Sequence, residues 1–248
     1  MFMSVHLIRK LEQFVRLSQA EKRALERLGR ARLRHFPARA DIAVEGESPD
    51  AVNLILDGWA CRYKALEDGR RQIVSFFVPG DMSDLNSFIL RQLDHSQAAV
   101  TPVIAAEISR DMLDEITDGH PRVVQAFWWE TLVTASIQRE WTLSLGQRTA
   151  AERLAHLFCE LFIRLRSVGL TDGDSCDFPV PQTALAEAAG LSPVHVNRTL
   201  MTLREAGLLS LARRQLTIPD LGALMSAGLF NPNYLHLEQE GRHLDANL

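Results

Sequence analysis

The sequence lacks several features that would each point to a particular class of protein. Its three cysteines, Cys61, Cys159 and Cys176, are far apart and odd in number. This spacing excludes a C-x-x-C metal site and a disulfide framework, and it favours buried, idle thiols. No apolar run approaches the roughly 18 residues of a membrane helix, and the N-terminus lacks a signal-peptide core, so we expect a cytoplasmic protein.

Catalytic signatures and a positive net charge are missing as well. The sequence contains no nucleophile elbow, H-E-x-x-H motif, P-loop or paired Cys/His ligand set, so we expect neither an enzyme nor a bound metal or cofactor. The 27 basic residues are outnumbered by 31 acidic ones, which gives a net charge of −4. This balance leaves DNA binding open, because phosphates require only a local basic face.

The first half of the 248-residue chain has the pattern of short β-strands. The dipeptides Asp57-Gly58 and Asp68-Gly69 predict hairpin turns between strands at 52–56, 59–65 and 71–78. In the last of these strands, strict alternation puts Ile73 and Phe76 on opposite faces. Pro79-Gly80 predicts a type II turn. We therefore expect a compact β-roll or barrel.

A single long helix is predicted after the β region. Pro121 suits a first helical position, and no Gly or Pro interrupts the run until Gly146. The helix is too apolar for a solvated spacer, and its length suits packing against the same helix of a second subunit. Burial against its own β domain is the alternative, and one helix can use a different face for each.

The next helix begins at a predicted capping box. The Thr149 hydroxyl is expected to accept the backbone amide of Glu152, and the Glu152 carboxylate to accept the backbone amide of Thr149. The apolar residues of this helix recur at three- and four-residue steps until Gly169 ends it. We expect Gly146 and Gln147 to interrupt the helical run and so to separate the two helices. A change in the first domain would then rotate the second domain through this joint.

A helix-turn-helix is predicted further along the chain. The first helix, 181–189, ends at Gly190, which permits a left-handed corner, and Ser192 caps the second helix with Pro193 at its first position. The apolar Val196, Leu200 and Leu203 share one face of that second helix. The opposite, outward face is expected to carry Val194, Asn197, Arg198 and Met201.

This outward face has the chemistry of a major-groove reader. Arginine can donate two bonds to guanine, asparagine can pair with adenine, and Val194 or Pro193 can contact a thymine methyl group. The segment 192–218 contains four arginines and one acidic residue. Residues 208–211 and 215–218 are predicted to pair across Ala212-Arg213-Arg214 as a wing whose arginines neutralise phosphates.

These motifs, in this order, resemble the Crp/Fnr family of bacterial regulators. The resemblance covers about residues 7–224, and it is carried by the segments 56–59 (Leu-Asp-Gly-Trp), 68–74 (Asp-Gly-Arg-Arg-Gln-Ile-Val), 78–81 (Val-Pro-Gly-Asp) and 190–200. It implies an α+β fold: an N-terminal β-roll of the jelly-roll, cyclic-nucleotide-binding type at 1–119, a dimerisation helix at 120–146 and a winged helix-turn-helix domain at 147–230. The rest, 231–248, is expected to be a loose tail.

The resemblance also implies site residues and partners. Arg198 occupies the position of the family's base-reading arginine, and Pro193, Val194 and Asn197 stand at its other base-facing positions. Many members carry Glu in place of Val194, so a different operator core is expected here. Contacts to DNA phosphates are assigned to His195, Thr199, Arg213 and Arg214. Beside DNA, the implied partners are a second copy of the chain and RNA polymerase.

The predicted sensor pocket departs from the members of the family that bind cyclic AMP. Those members carry a Gly-Glu-Leu turn and an Arg-Ser/Thr-Ala segment, where this chain has Ser83-Asp84-Leu85 and His95-Ser96-Gln97-Ala98. Replacement of Arg by His removes a permanent phosphate donor, so cyclic AMP is not an expected ligand. Asp84 and His95 are open to three interpretations: a pocket for another small ligand, a pH-responsive pair, or a surface pair.

Three functions are weighed on this basis. The first is a sequence-specific, homodimeric transcription regulator. The second is a small-ligand or nucleotide sensor with a vestigial helix-turn-helix, which would bind its ligand tightly but leave no footprint on DNA. The third is an enzyme, for which only Asp84 and His95 suggest an acid/base pair. The sequence favours the first.

Overall fold

The computed structural model of the chain describes residues 4–85, 87–237, 239 and 241. Its helices and strands follow one another in the order α1 (Val5–Leu11), α2 (Gln19–Leu28), β1 (Arg32–Phe36), β2 (Asp41–Ala43), β3 (Val52–Asp57), β4 (Ala60–Ala65), β5 (Arg71–Phe77), β6 (Ser96–Ala99), β7 (Val103–Ile108), α3 (Arg110–Gly119), α4 (Pro121–Gln147), α5 (Ala150–Ser167), β8 (Ser175–Asp177), α6 (Gln182–Ala189), α7 (Pro193–Glu205), β9 (Ser210–Ala212), β10 (Gln215–Thr217) and α8 (Leu221–Ala227). Within the described residues, no helix is both long and apolar enough to cross a membrane.

The first domain is the predicted β-roll, built from two antiparallel sheets in the orders β1-β7-β3 and β2-β6-β4-β5. Asp68-Gly69 forms the predicted hairpin between β4 and β5. The hairpin predicted at Asp57-Gly58 is wrong, because β3 and β4 lie in different sheets and this turn carries the chain from one to the other. Gly58 has φ +82°, and a Cβ there would lie 2.0 Å from the Pro102 carbonyl oxygen.

The predicted alternation along β5 is also wrong, because the strand is bulged. Its register against β4 shifts so that Ser75 pairs with Arg62 and Ile73 with Tyr63, which leaves Val74 without a pairing residue. The extra residue reverses the alternation. As a result, Ile73 and Phe76 are both fully buried in the same cluster of the core.

The long helix α4 begins at Pro121 as predicted and continues through Gly146 to Gln147, one residue beyond the expected end. Its 27 residues span about 40 Å. One face packs on its own chain, while the side chains of Trp128, Leu132 and Leu143 are 63%, 65% and 48% exposed. The helix therefore has one intrachain face and one free apolar face.

The next helix, α5, starts at the predicted capping box. The Thr149 hydroxyl accepts the Glu152 amide at 3.4 Å, and the Glu152 carboxylate accepts the Thr149 amide at 2.8 Å. Gly169, at φ +77°, ends the helix as expected. Most of α5 is buried, including Phe158 and Leu161 at 0% exposure, so it forms the centre of the second half of the molecule.

The helix-turn-helix and its wing are formed by α6, α7 and three strands. Gly190 adopts φ +62°, ψ +38° at the end of α6, as the sequence predicted. The wing turn places both Arg213 and Arg214 at positive φ, as in a type I′ hairpin. The third strand, β8, was not predicted and pairs with β10, so that the wing sheet has the order β8-β10-β9.

The C-terminal segment differs from the loose tail that was expected. Pro232–Leu235 forms a 3-10 turn against α4, and Leu235 is only 1% exposed. Further on, the amides of Gln239 and Gly241 donate to the Gln13 and Phe14 carbonyls at 2.9 and 3.0 Å. The polar composition of 231–248 concealed a few anchoring apolar residues. Residues 238, 240 and 242–248 lie outside the described part of the chain.

Candidate DNA-reading surface and sensor pocket

The face of α7 predicted to read DNA points outward. The Ser192 hydroxyl caps the helix by accepting the His195 amide at 3.2 Å, while Val196 and Leu200 on the inner face are buried. Rotation by the helical repeat then leaves Val194 71% exposed and places Asn197 and Arg198 on the exposed side beside it.

The side chains on this face make few bonds within the protein. The Asn197 side-chain amide donates weakly to the Gln182 side chain at 3.4 Å. Among the described residues, no carboxylate forms an ion pair with Arg198 or with the wing residues Arg213 and Arg214. The helix and the wing thus present unsatisfied donors on one basic surface, which is what recognition of base edges and phosphates requires.

One of the predicted phosphate contacts disagrees with the structure. Thr199 is 5% exposed, and its hydroxyl donates to the His195 carbonyl oxygen at 2.9 Å. It lies on the inner side of the helix, since it follows the buried Val196 by three residues. We therefore remove Thr199 from the phosphate-contact set. His195 remains exposed on the first turn of α7.

The predicted sensor pocket contains a carboxylate saturated by its own neighbours. Asp84, at φ +45°, accepts bonds from Arg62, from the Gln97 side-chain amide and, at 2.8 Å, from His95 Nε2. Burial raises the pKa of this carboxyl, but the hydrogen bond from His95 and the charge of Arg62 hold it below its usual value. A ligand would have to displace these three donors.

His95 lies between two carboxylates. Its Nε2 lies 2.8 Å from an Asp84 carboxylate oxygen, and its Nδ1 lies 2.6 Å from one of the exposed Asp94. Burial lowers the pKa of the imidazole, but bonding to the two acids outweighs this and raises it overall. Arg62 Nε also approaches His95 Nε2, at 3.2 Å, and its charge works against the two carboxylates.

The other predicted pocket residues have structural roles. Ser83 accepts the Asn53 amide at 2.9 Å, Ser96 accepts the Glu45 amide at 3.0 Å, and Leu85 is buried in the apolar core. Sequence reasoning missed Arg62. The sequence indicated only that Arg62 lies on a strand predicted at 59–65. Its ion pair with Asp84 could not be predicted, because that contact depends on how β4 packs against a loop that is distant in the sequence.

A cavity of about 150 Å³ opens beside Ser83, Asp84 and Gln97. Its charged lining consists of Arg34, Glu47, Asp50, Asp84 and Glu107. Asp84 is paired with Arg62, and Glu107 with Arg32 and Arg34, whereas Glu47 and Asp50 form no ion pair with a described residue and keep the lining unfavourable for a phosphate anion. This lining agrees with the expectation that cyclic AMP is not the ligand.

A β-roll, a long helix with a free apolar face and an exposed basic recognition helix together define a DNA-binding transcription regulator. Comparison with known proteins places it more closely. Residues 33–120 match the cyclic nucleotide-binding domain, and residues 152–227 match the Crp-like helix-turn-helix domain. The chain belongs to the Crp/Fnr family.

Two relatives illustrate this similarity. The transcriptional activator protein FnrL of Cereibacter sphaeroides is 26% identical over 196 residues, covering 77% of this chain and 78% of the relative. The nitrogen fixation regulation protein FixK of Bradyrhizobium diazoefficiens is 27% identical over 205 residues, covering 82% and 84%. The solved structure of FixK2 from Bradyrhizobium japonicum matches with a TM-score of 0.71 at 25% identity, over 79% of this chain and 96% of that one.

Proposed function

We propose that the protein is a homodimeric regulator that acts in the cytoplasm and reads a palindromic operator through the exposed face of α7. The observation that carries this proposal is the outward position of Val194, Asn197 and Arg198 on a helix whose other face is buried. Arg198 would donate two bonds to a guanine, and Asn197 would pair with an adenine. Val194, like Pro193, would contact a thymine methyl group.

The wing would set the position of the protein on the duplex. Arg213 and Arg214 stand at the tip of the hairpin, and His195 lies exposed at the start of α7. Contacts of this kind to phosphate oxygens fix register but carry no sequence information. Base reading and phosphate binding are thus assigned to different side chains, so they can be separated by substitution.

A pair of substitutions tests this division on an operator selected from random DNA. Arg198→Ala should lose about 1–3 kcal/mol of discrimination for the operator over unrelated duplexes. Arg213→Ala should weaken all duplexes about equally and reduce the slope of log affinity against log salt by about 1. Equal losses on every sequence for both variants would refute the assignment.

The free face of α4 supports the dimer. Trp128 and Leu132 are both more than 60% exposed, and Ala135 follows them at heptad spacing on the exposed side. Large apolar side chains at this spacing match the seam of a two-stranded coiled coil. Pairing through α4 would bring two recognition helices to successive major grooves, about 34 Å apart.

Leu132→Glu tests this seam by sedimentation. Two buried carboxylates facing each other should separate the dimer into monomers and abolish operator binding at concentrations where the wild type binds. Leu66→Glu is the matched control, because Leu66 is 58% exposed at the β4–β5 turn, away from α4. A Leu132→Glu protein that remains dimeric would contradict the proposed interface.

The division of the chain is proposed as 1–119 for the sensor domain, 120–146 for the dimer helix and 147–230 for the winged domain, followed by a C-terminal segment at 231–248. The saturated Asp84 and the acidic cavity support a sensor that does not respond to cyclic AMP. The alternative, a ligand sensor with a vestigial reading domain, is less well supported, because no other part of the described chain covers the exposed face of α7.

Contact with RNA polymerase is supported by a second basic surface, on α2. Arg23, Arg27, Arg30 and His120 line a surface cavity of about 500 Å³, and only Arg27 among the three arginines is ion-paired within the described residues, with Glu115 at 3.2 Å. This surface adjoins the start of α4, whereas the joint that leads to the helix-turn-helix follows the end of that helix, about 40 Å away. An acidic protein surface therefore suits it better than the operator itself.

In a purified transcription assay, Arg23→Glu with Arg30→Glu should reduce activation while operator affinity stays at the wild-type value. Arg70→Glu with Arg91→Glu, at two exposed arginines in loops of the β-roll, is the control, because it changes the net charge by the same amount. Unchanged activation by the double variant would contradict the polymerase contact without touching the assignment of α7.

A further inference from the structure

The winged domain is packed onto the β-roll of its own chain. The rings of Trp59 and Phe178 meet edge to face with centroids 5.2 Å apart, and those of Phe76 and Trp141 lie 6.1 Å apart. The Gln72 side-chain amide donates to the Ala188 carbonyl of α6 at 3.1 Å. One apolar core thus extends from the β-roll through α4 into the winged domain.

A buried carboxylate lies where these parts meet. Glu160 on α5 is 0% exposed. Its carboxylate accepts Trp141 Nε1 from α4 at 2.9 Å, the Tyr234 hydroxyl at 2.9 Å, and Arg164 Nη1 from α5 at 3.3 Å. Burial raises the pKa of Glu160, so its charge depends on these donors. Tyr234 is the only one of the three that comes from the C-terminal segment.

The charges continue from Glu160 into the β-roll. Arg164 Nη2 donates to Asp81 at 2.8 Å and to the Phe76 carbonyl at 2.9 Å. Lys10 of α1 bonds both Asp81 and Glu130 of α4. Five buried or nearly buried charges therefore link α5, α4, α1 and the turn after β5 in one chain of ion pairs. In such a network the loss of one partner leaves the next charge uncompensated.

The C-terminal segment packs over the buried ion pairs and contacts both α5 and the residues that follow α1. The Tyr234 ring stacks on His156 of α5, with centroids 5.8 Å apart and an interplanar angle of 11°. Leu235 is buried, and Gln239 and Gly241 bond the backbone of Gln13 and Phe14 after α1. The described residues of this segment thus contact α5, α4 and the loop after α1.

We propose that the described residues of the C-terminal segment, 231–237, 239 and 241, form an intramolecular strap, which locks the winged domain onto the β-roll through the bond from Tyr234 to Glu160. The sensor and the reading domain then move as one body, and the joint at 146–148 does not act as a free hinge. Among the described residues, nothing covers the outer face of α7 or the seam of α4. The locked state therefore leaves DNA binding and pairing accessible, and it holds each recognition helix at a fixed angle to α4.

Hydrogen exchange of the full-length dimer tests the strap without DNA. Tyr234→Phe should lower the protection of α5 amides about ten-fold, the equivalent of one buried hydrogen bond to a charged group. The same loss should occur at the β5 amides that face α6, because the two regions are locked together. In a Glu160→Gln background, Tyr234→Phe should cause a much smaller further loss of protection than it does in the wild type, since both substitutions remove the same interaction.

The matched control is Tyr63→Phe, because the only other tyrosine of the chain donates its hydroxyl to Asp41 at an exposed site. It should leave protection of α5 and β5 unchanged. Loss of protection confined to α5 after Tyr234→Phe, or equal effects of that substitution with and without Glu160→Gln, would overturn the strap.

A chain ending at residue 230 provides a second measurement, and this arm rests on the proposed function. Its reading domains should turn freely, so operator affinity should fall, while a salt-dependent affinity for unrelated duplexes is kept. Unchanged operator affinity in a truncated protein that has lost α5 protection would overturn the claim that the strap orients the reading domains. It would leave DNA recognition by α7 intact.

Discussion

The sensor pocket and the reading face of α7 both contain polar and charged side chains. Those of the pocket are hydrogen-bonded within the protein, whereas those of α7 are left exposed. In the pocket, Asp84 is enclosed by Arg62, His95 and Gln97, so its bonding capacity is used within the protein. On α7, Asn197 makes one long bond and Arg198 forms no ion pair with a described residue. Polar groups that are satisfied internally contribute to folding, whereas those left unsatisfied at the surface are available for a partner.

The largest effect expected from this comparison is on stability. Asp84→Asn keeps a side chain that tolerates the left-handed backbone but removes the charge that Arg62 and His95 face. The free energy of unfolding should fall by about 3 kcal/mol, because a buried cation loses its partner. Chemical denaturation measures this, and Asp94→Asn, whose side chain is 86% exposed, should change stability by less than about 0.5 kcal/mol.

The corresponding substitution on α7 should act on DNA alone. Asn197→Ala should cost about 1–3 kcal/mol of discrimination at one base pair of each half-site, because a bidentate contact to adenine is lost. The free energy of unfolding should stay within about 0.5 kcal/mol of the wild-type value. A loss of stability comparable to that of Asp84→Asn would remove the contrast between the two sites.

A smaller effect is expected from the ionisation of His95. Because its pKa is raised in the folded protein, its charge stabilises the fold most at pH values below the unfolded pKa of about 6.5. That contribution is lost as the pH rises through the folded pKa. The stability difference between wild type and His95→Gln should therefore shrink between pH 5.5 and pH 8.5, as measured by denaturant unfolding. A difference that grows with pH would contradict the double carboxylate contact.

The smallest effect, none, is expected from cyclic AMP. A ligand that binds the folded state raises the melting temperature by mass action, by an amount that grows with its concentration. The acidic cavity and the saturated Asp84 predict no such shift at millimolar cyclic AMP. A concentration-dependent rise in melting temperature, abolished by Asp84→Asn, would show that the pocket opens to a nucleotide.

Much of the reading domain could be predicted because its signals are local. The Gly190 corner, the Ser192 cap and the Thr149–Glu152 capping box depend on residues within one turn of each other. Their chemistry allows few backbone conformations, and the inward or outward direction of α7 side chains then follows from the helical repeat. Thr199 was placed wrongly because its phosphate role came with the family resemblance, whereas the helical repeat puts it on the inner side, three residues after the buried Val196.

Other features depended on contacts between residues distant in the sequence. Asp57-Gly58 has the composition of a hairpin turn. However, β3 pairs with β7 and β4 pairs with β6, so this turn connects strands of two different sheets. The bulge at Val74 and the meeting of Arg62 with Asp84 likewise result from packing. Strand composition does not specify which strands pair, because pairing energy depends on neighbours that the local sequence does not contain.

By itself, the sequence determined the helices α4 to α7, the caps of α5 and α7, the helix-turn-helix corner and the side chains that α7 presents outward. Only the tertiary structure decided that Asp84 is saturated, that Tyr234 reaches Glu160, and that the β-roll and the winged domain share a core. The physical reason is distance along the chain. Caps and turns are stabilised within a few residues, whereas a buried ion network exists only when segments that are far apart in sequence exclude water together.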